Sequence, residues 1–275
     1  MKYMITGSNG QLGTALDRKI DDSVGLDLSD SDIETDISNK EAIGKIEEEN
    51  PDVIIHAAAL TDLDGVENNP EDAKQVNIEG TRNIVEAAEK SSAHLIYIST
   101  DYVFDGERGD YSEGDRVNPQ SVYSRTKYKG EKAVRGSDIE STIFRTSVVF
   151  HEEFDNFFTW AKGKLEEGNE VAAITDQTCC PTYAPNLAEI IVEAAEESIK
   201  GTYHAAGGSK VTRYESVQIM KEELGLDGEV KRSKMEDLPW EAHRPKDSSL
   251  SLAKLKEDFE NKPISISEAF RRMRE

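Results

Sequence analysis

Apolar residues in the first half of the chain fall into short, dense runs separated by stretches with helical spacing. Lys2–Thr6 reads as a strand, Gln11–Ile20 as a helix and Val24–Leu28 as a second strand. Glu41–Glu49 has helical periodicity, and Asp52–Ala59 (DVIIHAAA) is a nearly continuous apolar strand. A long helix is predicted over Glu71–Lys90, a buried strand over His94–Ser99, a helix over Tyr123–Arg135 and a strand over Ser141–Val149. Strands that alternate with helices imply parallel pairing through right-handed crossovers. Runs apolar on both faces fit a sheet covered by helices on both sides. Beyond residue 150 the rhythm loosens. Helices are predicted near Phe154–Glu167, Asn186–Ser198, Tyr214–Leu224 and Ser267–Arg274, with breaks at Gly168, Pro181, Gly207-Gly208 and Pro245. The fold expected is therefore α/β, a Rossmann-like doubly wound parallel sheet with a smaller C-terminal α+β part.

Composition narrows the function. At 275 residues the chain suits one large domain or two coupled ones. A net charge of −22 argues against nucleic-acid or anionic-membrane partners, which need basic surface. Acidic runs such as Glu47-Glu48-Glu49 read most simply as solvated helix faces, and adaptation to a salty cytoplasm is the alternative. No apolar run reaches the length of a membrane span, and the first residues read as a strand, not a signal peptide. Cys179 and Cys180 are adjacent, which suits neither a disulfide nor a zinc site. They are expected to be reduced thiols of a cytoplasmic protein.

Three features carry chemistry. Gly7, Gly10 and Gly13 lie between the first strand and the first helix. Glycines there allow a tight turn and the approach of a pyrophosphate to a helix N-terminus, although a turn without ligand would use them too. Asp27 ends the second strand, where an acid can bond ribose hydroxyls and repel a 2′-phosphate. This favours NADH over NADPH, unless Asp27 is an ordinary member of an Asp-rich loop. Tyr123 and Lys127 are four residues apart and share one helix face. An ammonium beside a phenol favours the phenolate and makes the tyrosine a usable acid or base. Thr100 closes the strand before them, where its hydroxyl could reach a substrate carbonyl or simply cap a turn.

These features resemble the extended short-chain dehydrogenases/reductases. GSNGQLG at 7–13, PDVIIHAAALTDLD at 51–64, STDYVFDG at 99–106, YSRTKYKGE at 123–131, FRTS at 144–147, DQTCCPTYAPNLA at 176–188, GTYHAAG at 201–207 and HRPKDSSLSLAKL at 243–255 resemble the dTDP-4-dehydrorhamnose reductase family in particular. That resemblance implies NAD(P)H-dependent reduction of the 4-keto group of a nucleotide-diphosphate deoxysugar, with Thr100, Tyr123 and Lys127 as catalytic triad. It places Gly7, Asn9, Gly10, Gln11 and Leu12 around the pyrophosphate and Asp36 and Ile37 beside adenine. Ala57, Ala58, Ala59 and Thr61 would line the dinucleotide path, with Asn77 in support. Asp101, Tyr102, Asn156, Phe157 and Arg244 would fall near the substrate, Arg244 as a cation for the diphosphate unless it serves a surface salt bridge. The dinucleotide part would be residues 1–150 with about 170–203, and the substrate part about 151–169 and 204–275. A homodimer is compatible with the family, as is a magnesium ion at a dimer contact, for which the sequence offers no acid cluster. Where the family reads R-T-S-W-V-Y-G, this chain has Val148 for the tryptophan and His151 for the glycine, the latter expected at the surface or the pocket rim. A related sugar-nucleotide epimerase, or a non-catalytic regulatory subunit like the methionine adenosyltransferase β subunit, are the other readings.

Overall fold

The computed structural model describes residues 1–274. Its centre is a parallel sheet whose inner strands are buried on both faces. The strands are β1 (Tyr3–Thr6), β2 (Ser23–Asp27), β3 (Ile33–Glu34), β4 (Val53–His56), β5 (His94–Thr100), β6 (Ser141–Thr146) and β7 (Gly201–His204). They are ordered β7-β6-β5-β4-β1-β2-β3, every pair parallel. Ile5 of β1 stands beside Gly25 on one side and Ile55 on the other. Alternate side chains of each strand feed opposite faces. Ile5, Ile55 and Ile96 pack with Leu16 of helix α1 (Gln11–Lys19) and with Leu187 and Ile191 of the helix Ala184–Glu196. Met4, Ile54 and Leu95 pack with Ile46 of the helix Glu41–Glu49 and Ile84 of the helix Thr81–Ser91.

One expected element is modified and one is cut short. The long helix over 71–90 is present and continuous, with a π-helical turn Gln75–Gly80 set between Pro70–Lys74 and Thr81–Ser91. π-Helical turns of this kind cluster at functional sites, and this one contains Asn77. The strand predicted to run through Val149 stops at Thr146. Val148 has φ of +41°, a left-handed conformation that crowds a β-branched side chain. Val149–Phe150 then pairs with Thr182–Tyr183, away from the main sheet.

The smaller part is built on Val171–Ile174 paired parallel with Val230–Ser233, flanked by helices Phe157–Glu166, Arg213–Leu224 and Ile266–Arg272. Phe158, Leu165, Val171, Val217, Met220 and Phe270 form its core. The helix Ala253–Asp258 brings the chain back to the main sheet, where Leu255 and Phe259 enter the core. Among the described residues no helix is long and apolar enough to cross a membrane. Both cysteines are free thiols and buried.

Candidate active site

Chain order reverses about β1, with β2 on one side and β4 on the other, so the loops leaving β1 and β4 part to open a crevice at the carboxyl edge. A cleft of about 710 Å³ occupies this place, running from Asp27, Asp36 and Ile37 past Gly7–Gly13 and Ala57–Thr61 to Thr100, Tyr123 and Val148. The glycine loop is built for close approach. Gly7 has φ of +73°, and a Cβ on it would lie 2.7 Å from the Ala58 backbone nitrogen. A Cβ on Gly13 would strike the Gly7 carbonyl oxygen and come within 2.6 Å of Ser8 Cα. The loop therefore lies flat on the following helix and on the β4 loop. No side chain caps the start of α1, so its first amides remain available to an anion. Gly13→Ala should weaken cofactor binding by ~10-fold or more and lower stability by ~2 kcal/mol, because backbone must move to admit the methyl. Dinucleotide titration and urea unfolding measure the two effects; wild-type values for both would mean the loop tolerates a side chain.

Other expected dinucleotide residues play less direct parts. Asp27 Oδ2 accepts the Asn9 amide at 2.9 Å, and Oδ1 accepts the Leu28 amide at 2.7 Å, so this acid shapes the loop as well as facing the cleft. Gln11 Oε1 accepts from the His151 amide at 3.0 Å and from Asn156 Nδ2 at 3.1 Å, tying the glycine loop to the segment that enters the smaller part. Asn77 lies behind the cleft wall. It accepts the Leu60 amide at 2.8 Å and donates to the Leu60 carbonyl at 3.0 Å and to Thr126 at 3.2 Å. It thus fixes the β4 loop to the helix that carries Tyr123.

That helix, Val122–Arg135, starts with a reciprocal cap between Ser121 and Ser124. It presses onto β5 through Gly130, where a Cβ would collide with the Tyr97 hydroxyl. Lys127 is buried, its Nζ 4.4 Å from the centre of the Tyr97 ring. Burial pushes Lys127 down to about 7, while Glu131 one turn later pulls it up. Burial pushes the Tyr123 phenol up to about 12, against a hydrogen bond with Thr100 that lowers it. In this state the phenol is thus held neutral; the expected pull of Lys127 toward the phenolate is not what sets it. Thr100 Oγ1 also accepts the Tyr102 amide at 3.2 Å, so the turn-cap reading of this hydroxyl holds alongside its place beside Tyr123.

Asp101 and Tyr102 line the cleft. Tyr102 packs edge-on to Tyr123, ring centres 6.3 Å apart. Asp101 is buried, receives bonds from Ser147 at 2.7 Å and Thr100 at 3.1 Å, and is pushed up to about 6 by burial. Asn156, Phe157 and Arg244 do not line the cleft. Asn156 caps the helix Phe157–Glu166 and braces the 151–154 turn, which uses both ends of its amide. Arg244 lies over the Trp240 ring and gives both terminal nitrogens to Asp64, at 2.5 and 2.7 Å, so its fork is filled. His151 is buried, contrary to the surface or rim position expected; its Nδ1 accepts the Glu153 amide at 3.2 Å. Among the described residues no group of three or more His, Cys, Asp or Glu side chains could hold a metal ion.

Two functional-looking residues escaped the sequence reading. Glu131 lies in the quoted YSRTKYKGE segment, but nothing in the spacing says that it is fully buried between Ser99 and Arg145. Arg213 lines the cleft from the smaller part. In sequence it is one exposed-looking cation at a helix start.

A glycine-turned loop at the switch point of a parallel sheet, facing a Tyr-x-x-x-Lys helix, defines the dinucleotide-dependent short-chain reductase class. Comparison with known proteins goes further. The family described as "RmlD substrate binding domain" matches residues 1–275. The dTDP-4-dehydrorhamnose reductase of Aggregatibacter actinomycetemcomitans is 32% identical, over 99% of this chain and 98% of its own. A probable low-salt glycan biosynthesis reductase of Haloferax volcanii is 34% identical over 92% and 90%. The crystal structure of the Bacillus anthracis dTDP-4-dehydrorhamnose reductase in complex with NADP superposes with a TM-score of 0.92 at 31% identity, covering 99% of each chain. The chain belongs to the dTDP-4-dehydrorhamnose reductase family.

Proposed function

We propose that the protein reduces the 4-keto group of a nucleotide-diphosphate deoxysugar, dTDP-4-dehydro-L-rhamnose giving dTDP-L-rhamnose, with a nicotinamide dinucleotide as reductant. One observation carries the reading: the neutral phenol of Tyr123 and the buried ammonium of Lys127 line the same cleft as a flat glycine loop. The loop fits the dinucleotide, since the absence of side chains at Gly7 and Gly13 lets it lie against Ala58 and the first turn of α1, whose uncapped amides face a pyrophosphate. Gly7, Asn9, Gly10, Gln11 and Leu12 would hold the pyrophosphate, Asp36 and Ile37 the adenine, and Ala57, Ala58, Ala59 and Thr61 the connecting wall.

A bound reduced nicotinamide supplies the hydride. Tyr123 donates its phenolic proton to the sugar ketone oxygen, and Thr100, beside it, orients that oxygen or steadies the phenolate left behind. Lys127 holds the nicotinamide ribose and keeps positive charge near the phenolate as it forms. Asp101 and Tyr102 form the wall next to the reacting carbon. In this division of labour the sheet-based part carries the dinucleotide and the smaller C-terminal part the sugar nucleotide.

Asp27, Thr35 and Asp36 line the adenosine end without any Lys or Arg among them, which supports NADH as the preferred reductant. The test is oxidation of NADH and of NADPH with dTDP-4-dehydro-L-rhamnose. Turnover is expected with both, with kcat/KM for NADH equal or higher. A preference for NADPH of more than ~10-fold would overturn the cofactor assignment. Absence of turnover with either would remove the reductase reading and favour a regulatory role.

A further inference from the structure

A nucleotide-diphosphate substrate brings about two negative charges into a cleft already edged by Asp27, Asp36 and Asp101. In a chain of net charge −22 the counter-charge must be local. Among the described residues, two cations line the cleft, Lys127 and Arg213. Lys127 sits deep against Tyr97, beside the reacting groups. Arg244, the cation the sequence pointed to, has its fork closed on Asp64.

Arg213 has the features Arg244 lacks. It is the first residue of the helix Arg213–Leu224, entering the cleft from the smaller part. Its guanidinium lies over the Phe157 ring, 4.6 Å from the centre. Nε donates to Gln177 Oε1 at 3.4 Å, and among the described residues no carboxylate pairs with it. Gln177 is itself buried and held by the Pro245 carbonyl at 3.3 Å, with the Tyr102 hydroxyl at 3.5 Å. Phe157 and Gln177 therefore fix the guanidinium plane and leave its two terminal nitrogens open, the arrangement that suits bidentate binding of phosphate. Its charge is felt by Tyr102, which packs on Tyr123, so it stands at the reacting end of the cleft and away from Asp27 and Asp36. The dinucleotide's own pyrophosphate is met by the glycine loop.

We infer that Arg213 is the substrate's diphosphate clamp, positioned by Phe157 and Gln177. The inference rests on the sugar-nucleotide reading above and adds the residue that recognises the diphosphate. It also gives Phe157, expected at the substrate, a role one step removed from it.

The test is calorimetric titration of wild type, Arg213→Gln and Arg213→Lys with dTDP, UDP, thymidine and NADH. Arg213→Gln should weaken dTDP binding by ~10-fold or more, with Arg213→Lys in between, because lysine keeps the charge and loses the fork. Thymidine and NADH affinities and the melting temperature should stay at wild-type values. In turnover the change should fall on KM for the sugar nucleotide and leave kcat nearly unaltered. Equal dTDP affinity in wild type and Arg213→Gln overturns the inference alone. A loss seen with the complete sugar nucleotide but absent with dTDP means that Arg213 reads the sugar, and overturns it too. If wild type binds neither dTDP nor UDP, the sugar-nucleotide reading falls and takes the clamp with it.

Discussion

Tyr123→Phe should lower kcat by ~10²-fold or more while leaving the fold and dinucleotide affinity in place. The phenol is held near 12 by burial, so at neutral pH it carries the proton that the ketone oxygen must receive. Phenylalanine fills the same volume and keeps the edge-on packing with Tyr102. Thr100 loses the Tyr123 hydroxyl but keeps its bonds with Asp101 and the Tyr102 amide. The defect should therefore be one of chemistry, visible in single-turnover rates and not in the melting curve. The pH profile separates the two members of the pair. Lys127, lowered to about 7, loses its proton as pH rises through neutrality, whereas Tyr123 keeps its own to about 12. A basic decline in the free enzyme between pH 7 and 9 would then belong to Lys127. It should persist in whatever residual activity Tyr123→Phe retains. Near wild-type kcat in the variant would show that another group, or water, supplies the proton.

The parts of this site legible in the sequence are those with a local pattern. Glycines at 7, 10 and 13 and the four-residue spacing of Tyr123 and Lys127 each express a constraint within one turn or one helix. The strands β1, β4 and β5 were equally plain, because burial on both faces leaves dense apolar runs. What was missed is non-local. β3 is two residues long and sits among aspartates, and β7 begins with the exposed Gly201, so neither shows a strand pattern of its own. The break after Thr146 depends on Val148 taking a left-handed backbone that its residue type disfavours. Whether a cation is free or spent depends on partners far away in sequence. Arg244 meets Asp64 and Arg213 stacks on Phe157, and neither separation carries any periodic signal.

Glu131→Ala should be the most destabilising single change near the site, by ~3–5 kcal/mol. Both Glu131 and Arg145 are almost completely buried. The carboxylate accepts the Ser99 hydroxyl at 2.6 Å, Arg145 Nε and Nη2 at 2.9 Å each, and Arg135 Nη2 at 3.0 Å. Arg145 already has one buried nitrogen, Nη1, without a partner. Removing Glu131 would leave the whole guanidinium without its counter-charge between β5 and the helix Val122–Arg135. Most of the expected loss comes from stranding that charge, and much less from the pair's own attraction. The double variant Glu131→Leu with Arg145→Met should accordingly recover a large share of the loss, and a double-mutant cycle by urea unfolding measures how much. A single-variant loss below ~1 kcal/mol would mean that water or a rearranged side chain solvates Arg145, against the geometry seen. The pair also bears on chemistry. Glu131 is one turn from Lys127 and opposes the burial that lowers it. Without Glu131, Lys127 should lose its proton at a pH lower still. The double variant, even where refolded to near wild-type stability, should therefore show its basic decline in turnover at a lower pH than wild type, a shift that restored packing alone cannot correct.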